Sequence, residues 1–160
     1  TFSMSGLSKV AGLPQMKLGW IVASGPRDER DAAMENLELI ADTYLSVATP
    51  VQHALPALLQ IGDGIQRQIA GRVLDNLAVL DEILHTQPAM RRLRVEGGWY
   101  AVVQVPRTRS EEEWVLHLLG ERDVLVQPGF FYDFEAEAFL VLSLLTEPGV
   151  FREGVRRLVA

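Results

Sequence analysis

Ile65, Ile69, Val73, Leu77, Leu80 and Leu84 recur at three- and four-residue steps, the spacing that puts side chains on one stripe of an α-helix. A stripe of that length is stable in water only if another element covers it, and its apolar face is read as core packing. After Pro88 the pattern changes. "MRRLRVEGGWYAVVQVP" reads as strand, Gly-Gly turn and strand, and Ser110 with Glu113 has the spacing of a capping box that opens a helix to about Leu119. "DVLVQPG" and "EAFLVLSLL" read as two more strands, and "EPGVFREGVRRLV" as a closing amphipathic helix with Phe151, Val155 and Leu158 inward. Strand, helix, strand, strand, helix over residues 88–160 predicts a compact α/β unit. The striped helix before it is expected to connect that unit to whatever precedes it.

Upstream, "MKLGWIVASG" (16–25) is a β-rich run closed by a Ser-Gly-Pro turn. A long helical stretch follows, with Met34, Leu37, Ala41, Tyr44 and Ala48 at helical steps and Asp28, Glu29 and Asp31 in its first turns. Thr49-Pro50 is expected to end or kink it. A second helix is expected near 51–60, stopping around Gly62-Asp63-Gly64, and a third from there to about Thr86. Thr1, Phe2 and Met4 look like the middle of a strand, with no turn and no initiator Met before them, so the sequence reads as a piece of a longer protein.

Composition narrows the function classes. With 160 residues, 48% of them hydrophobic, and a net charge of −6, the chain can bury a sizeable core, and its acidic balance argues against nucleic acid or an anionic membrane as partner. The one basic cluster, Arg91, Arg92 and Arg94, lacks interleaved aromatics and reads as a solvated strand end. There is no cysteine, so no disulfide or thiol chemistry, which fits a cytoplasmic protein. His53, His85 and His117 are scattered without metal-ligand spacing, so no metal is expected. No apolar run approaches the roughly 20 residues of a membrane span.

The candidate chemistry lies in "GLSKVAGLPQMKLGW" (6–20). It holds Lys9 and Lys17, the only two lysines among fifteen basic residues. A chain that otherwise chooses arginine has a reason to place a primary amine here. On spacing alone, an ordinary loop lysine at 9 and a solvent-facing strand-edge lysine at 17 stay open. The order Gly-Leu-Ser-Lys, Gly-Leu-Pro, Lys-Leu-Gly-Trp resembles the lysine signature of the class I/II aminotransferases, the fold-type I pyridoxal-phosphate enzymes. "TYLSVATPVQHALPALL", "VEGGWYAVVQVP", "VLVQPGFFYDF" and "LVLSLLTEPGVFREGVRRL" resemble later segments of the same family, in order, so the likeness covers nearly the whole chain and the carboxyl-terminal part of the family's.

The resemblance implies an α/β fold: the tail of a large-domain sheet with the Schiff-base lysine (1–60), a long connecting helix (61–87) and a small α/β domain with a mostly antiparallel sheet (88–160). It implies pyridoxal 5'-phosphate as cofactor, Lys9 as the Schiff-base and proton-shuttling residue, and Gly6, Ser8 and Lys17 beside the phosphate. Arginine could not replace Lys9, because a guanidinium stays protonated and is a poor nucleophile. Two positions depart from the pattern. Lys17 stands where the family has arginine, so it supplies charge without a two-pronged grip. Val141 stands where the family carries the arginine that binds the substrate carboxylate. Either the clamp comes from elsewhere, or the substrate is not a plain α-amino acid, or the alignment slips. Arg152, Arg156 and Arg157 read as surface of the last helix. The parent is expected to be a homodimer acting on small amine and oxo-acid substrates, the fragment alone being inactive. A lyase or decarboxylase of the same fold and a non-catalytic α/β interaction module are the alternatives.

Overall fold

The computed structural model describes residues 1–136 and 138–160. The chain divides into two compact units, Thr1–Gln68 and Ile69–Ala160. The division falls inside one helix.

In the first unit, β1 (Phe2–Gly6) and β2 (Gly19–Ala23) form an antiparallel pair, from Phe2 opposite Ala23 to Gly6 opposite Gly19. The two glycines at its closed end are there for space. A Cβ on Gly6 would lie 3.0 Å from the Leu18 carbonyl oxygen and 3.2 Å from the Gly19 Cα. Between the strands sit a one-turn helix, α1 (Leu7–Val10), and a 3-10 turn over Pro14–Met16. Leu7, Ala11 and Leu18 are buried, with Trp20, Val51, Leu55 and Leu58 packed around them. Helix α2 (Arg27–Asp42) carries Asp28 and Glu29 in its first turn, as expected, but buries no residue: Met34, Leu39 and Ile40 are all exposed. It ends before Tyr44 and Ala48, six residues or more short of Thr49-Pro50, which instead opens the next helix.

That helix, α3 (Thr49–Leu84), is continuous. The stop expected at Gly62-Asp63-Gly64 and the separate second helix near 51–60 are not found. Gly62 serves packing, since a Cβ there would meet the Ala11 Cβ at 2.9 Å. Pro56 is carried inside the helix, which loses one backbone hydrogen bond at that turn.

The second unit is built on a four-stranded antiparallel sheet in the order β3 (Arg91–Arg92), β4 (Tyr100–Gln104), β6 (Phe139–Ser143), β5 (Gln127–Pro128). Alternation along the strands sends Ala101, Val103, Leu140 and Leu142 into a core shared with Val73, Leu80 and Leu84 of α3 and Leu118 of α4 (Glu111–Arg122). Phe151, Val155 and Leu158 of α5 (Pro148–Val159) complete it. Each fully buried leucine contributes about 2 kcal/mol by transfer from water. The α3 stripe is therefore covered as its spacing demanded, with Ile69 and Leu77 partly buried against the same core. The capping box is present: the Glu113 N–H donates to the Ser110 hydroxyl at 3.2 Å and the Ser110 N–H to the Glu113 carboxylate at 2.8 Å. Asn76, fully buried on α3, donates to the carbonyls of Leu144 (2.9 Å) and Thr146 (2.8 Å), tying the turn after β6 to the helix. Arg92 is not a solvated strand end, because its guanidinium grips Asp81 of α3 at 2.7 and 2.9 Å.

Candidate functional site

Lys9 is exposed, but its platform is fixed. Its neighbours at both ends of α1, Leu7 and Ala11, have no exposed surface. The Leu7 N–H donates to the Leu18 carbonyl at 3.0 Å, Ala11 lies against Gly62, and the Gln66 side-chain amide donates to the Val10 carbonyl. A flexible side chain thus leaves a backbone held from three directions, which is what a positioned amine requires. Ser8 is half-buried on the same turn, and Gly6 is its entry residue.

Lys17 is exposed and adopts the left-handed conformation, φ 49° and ψ 39°. A residue with a Cβ pays about 1 kcal/mol there. It is held by the next residue, since Leu18 is buried and its carbonyl is the acceptor for Leu7. The Leu7–Leu18 hydrogen bond therefore ties together the two short segments that carry the lysines.

Val141 lies in the second unit, on β6, opposite Val102 of β4 and Gln127 of β5. Its flanking residues Leu140 and Leu142 point into the core, so Val141 points to the other face, together with Tyr100, Val102, Gln127 and Ser143. That face carries no helix-packed core residue, yet Val141 is only 4% exposed. A 3-10 turn over Gly129–Tyr132, with three successive aromatics, follows β5. Its Tyr132 ring is 6.2 Å from that of Tyr100, and its hydroxyl donates to the Gln127 side chain. Tyr100 and Gln127 sit on the two strands flanking β6, so Tyr132 has a partner on either side of the strand that holds Val141. The turn is anchored from behind by Glu111, 2% exposed, whose two carboxylate oxygens accept from the Phe130 and Phe139 N–H groups, both at 2.8 Å. Gly129 leaves room for it, as a Cβ there would come within 2.8 Å of a Glu111 oxygen.

A cleft of about 550 Å³ between α5 and residues 123–126 contains none of the candidate residues. Two of the three arginines of α5 are engaged at the surface, Arg152 with Glu82 at 3.1 Å and Arg157 with Glu153 at 2.9 Å.

The family model for aminotransferase class I and II matches residues 1–158. The chain belongs to the class I and II aminotransferase family. It is 23% identical to the glutamate–pyruvate aminotransferase AlaA of Haemophilus influenzae, over 99% of this chain and 41% of that protein. Among solved structures, an aminotransferase from Escherichia coli superposes with a TM-score of 0.82 at 21% identity, covering 99% of this chain and 41% of that one. The α-aminoadipate aminotransferase LysN of Thermus thermophilus, solved with N-(5'-phosphopyridoxyl)-L-leucine, superposes with a TM-score of 0.73 at 22% identity over 98% of this chain and 40% of that one. The aminotransferase segment thus spans about two fifths of the length of these relatives, and its fold is theirs. No helix among its described residues is long and apolar enough to cross a membrane.

The donor set on and around α1 suits a phosphorylated aldehyde: a primary amine on an anchored turn, a hydroxyl beside it, a close-packed glycine before it and a second ammonium on a segment bonded to the first. Glu111 and Tyr132 were not singled out from sequence. A glutamate at the first position of a capped helix looks like ordinary dipole compensation, and its real partners are 19 and 28 residues away. The usable signal was Pro128-Gly129 followed by three aromatics, a tight turn with more apolar surface than a loop needs.

Proposed function

We propose that this chain is the carboxyl-terminal part of a pyridoxal-5'-phosphate-dependent aminotransferase that moves an amino group between a small amine donor and a 2-oxo acid. In this proposal, residues 1–60 are the tail of the cofactor-binding domain, 61–87 the connecting segment, which is the later part of α3 and the turn after it, and 88–160 the small domain. The full-length protein acts as a cytoplasmic homodimer, and the 160-residue chain alone is inactive. The observation that carries the reading is Lys9 on a turn whose two ends are fully buried. Lys9 would hold the cofactor through Nζ. Ser8 and the backbone at Gly6 would meet its phosphate, with Lys17 adding charge. The cofactor, when bound, supplies an electron sink for charge developing at the substrate Cα. Once displaced by the substrate's amine, Lys9 Nζ would take the proton from that carbon and hand it to the cofactor's aldehyde carbon, not back to Cα. Neutral amine is needed for the first step and ammonium for the second, which a lysine satisfies and an arginine cannot.

Borohydride reduction of the cofactor-loaded full-length protein, followed by peptide mapping, is expected to fix the label on Lys9. A label on Lys17, or none, overturns the assignment.

A further inference from the structure

We propose that Tyr132 is a specificity-determining residue: it closes the Val141 position with an aromatic ring, so that the substrate presents an uncharged, apolar group there and not a carboxylate. This rests on the aminotransferase reading above, which makes position 141 a substrate position.

Val141 is on the sheet face opposite the core and is nevertheless almost fully covered. The ring that reaches across it is Tyr132, in contact with Tyr100 on one flanking strand and bonded to Gln127 on the other. The turn is also tied from behind: Glu111 accepts from the Phe130 and Phe139 N–H groups, and Gly129 keeps the space that this needs. Among the described strand residues, the cation on the same face is Arg91, which lies on β3, beyond β4, and donates to Gln104 at 2.7 Å. A carboxylate delivered to the Val141 position would lose its water against a valine and tyrosine rings and gain no charged partner from the described residues of this sheet, which is strongly unfavourable. An alkyl or aryl group placed there loses water favourably and stacks on Tyr132 and Tyr100, both about two fifths exposed. The amino donor is therefore an amine that carries an alkyl or aryl substituent where an ordinary α-amino acid carries its clamped carboxylate, and the 2-oxo acid of the return half-reaction has to place its carboxylate away from the Val141 position.

The same geometry says that Val141→Arg alone will not create a clamp, because Tyr132 occupies the way out. The ring has to be removed as well.

The test uses the full-length, cofactor-loaded protein and the half-reaction with 2-phenylethylamine and with L-alanine, followed by the cofactor's absorbance. The unmodified protein is expected to prefer the aryl amine in kcat/KM. Tyr132→Ala should lower kcat/KM for 2-phenylethylamine by about tenfold, mostly through KM, with a much smaller change for alanine. Tyr132→Phe, which keeps the ring and loses only the hydroxyl, should retain the preference. Val141→Arg should gain nothing for alanine, whereas Val141→Arg with Tyr132→Ala should gain about tenfold over Tyr132→Ala alone. A preference for alanine in the unmodified protein, equal losses for both substrates in Tyr132→Ala, or a gain from Val141→Arg alone overturns the proposal while leaving the aminotransferase reading intact. Failure of borohydride to label Lys9 removes the reading and the proposal together, so the two failures are distinct.

Discussion

The pairs β1–β2 and β4–β6 are both antiparallel ladders of five residue pairs, and they end up in opposite conditions. In β4–β6, alternate residues are driven into a core by α3, α4 and α5, so that Ala101, Val103 and Leu140 have no exposed surface. In β1–β2, Phe2, Met4, Ile21 and Val22 are all exposed by 44% or more, and the apolar cluster beneath α1 has three buried members. Ladder hydrogen bonds are the same in both, so what separates them is cover. The residues with candidate chemistry, Gly6, Ser8, Lys9 and Lys17, all hang from the poorly covered pair. The well-covered one holds Val141, with the aromatic turn following β5 at its edge.

The sharpest way to break this comparison is amide hydrogen exchange on the 160-residue chain. Amides of β4, β6 and α5 are expected to exchange at least about a thousandfold more slowly than those of β1 and β2, the difference expected between a covered sheet and a lone hairpin. Strong protection throughout residues 1–25 would show that the hairpin finds cover after all.

Point substitutions sharpen the same contrast. Leu140→Ala, in a position with no exposure, should cost the second unit about 3 kcal/mol in urea unfolding, because the surrounding sheet cannot collapse into the space. Met4→Ala, at 77% exposure, should change stability by no more than about 0.5 kcal/mol. Comparable costs at the two positions would mean that cover is not what distinguishes the strands.

Glu111→Ala comes next in size. It strips the acceptor from two partly buried N–H groups and should cost about 2 kcal/mol. Glu111→Gln, which keeps one carbonyl oxygen but turns an NH2 group toward the other donor, should recover part of that. Unchanged stability in both would show that the turn is held by its own aromatic contacts, such as Phe130 against Phe131.

How legible each region was follows the range of the forces involved. The Ser110–Glu113 box and the inward set Phe151, Val155 and Leu158 are local patterns, and both are where the sequence placed them. Gly62 reads as a stop in the sequence because a glycine that ends a helix and a glycine that admits a neighbour look alike there. Only Ala11, from another element, tells them apart. The Met34–Leu37 periodicity correctly marked a helix and overstated its length, since α2 has no core to reward continuation past Asp42. At the site, Lys9 could be picked by its residue type against an arginine-rich background and by its motif. The closing of Val141 by Tyr132 could not, because it depends on β5 lying beside β6 and on a turn that folds back over both.

The smallest expected effect is the response to acid, and it belongs to the well-covered unit. Glu113 is held below the usual glutamate range by the Ser110 N–H and then by the Ser110 hydroxyl, with Arg109 adding a little. Glu147, the cap of α5, is lowered by the N–H groups of Val150 and Gly149. A carboxyl that is more acidic folded than unfolded stabilises the fold at pH above its unfolded value, and that contribution is lost as pH falls through the folded value. Stability of the second unit should therefore decline on acidification just below the ordinary glutamate range. Both carboxylates are at the surface, so salt should weaken the decline. Measuring the thermal midpoint against pH for the unmodified chain, Glu113→Gln, Glu147→Gln and the double variant separates this from general acid unfolding. Each substitution should flatten the acid limb while lowering the neutral-pH midpoint, since a neutral amide accepts a cap hydrogen bond less strongly than a carboxylate. Should the acid limb keep its slope in the double variant, acid sensitivity arises elsewhere, and the helix ends of the covered unit are held by packing and not by their caps.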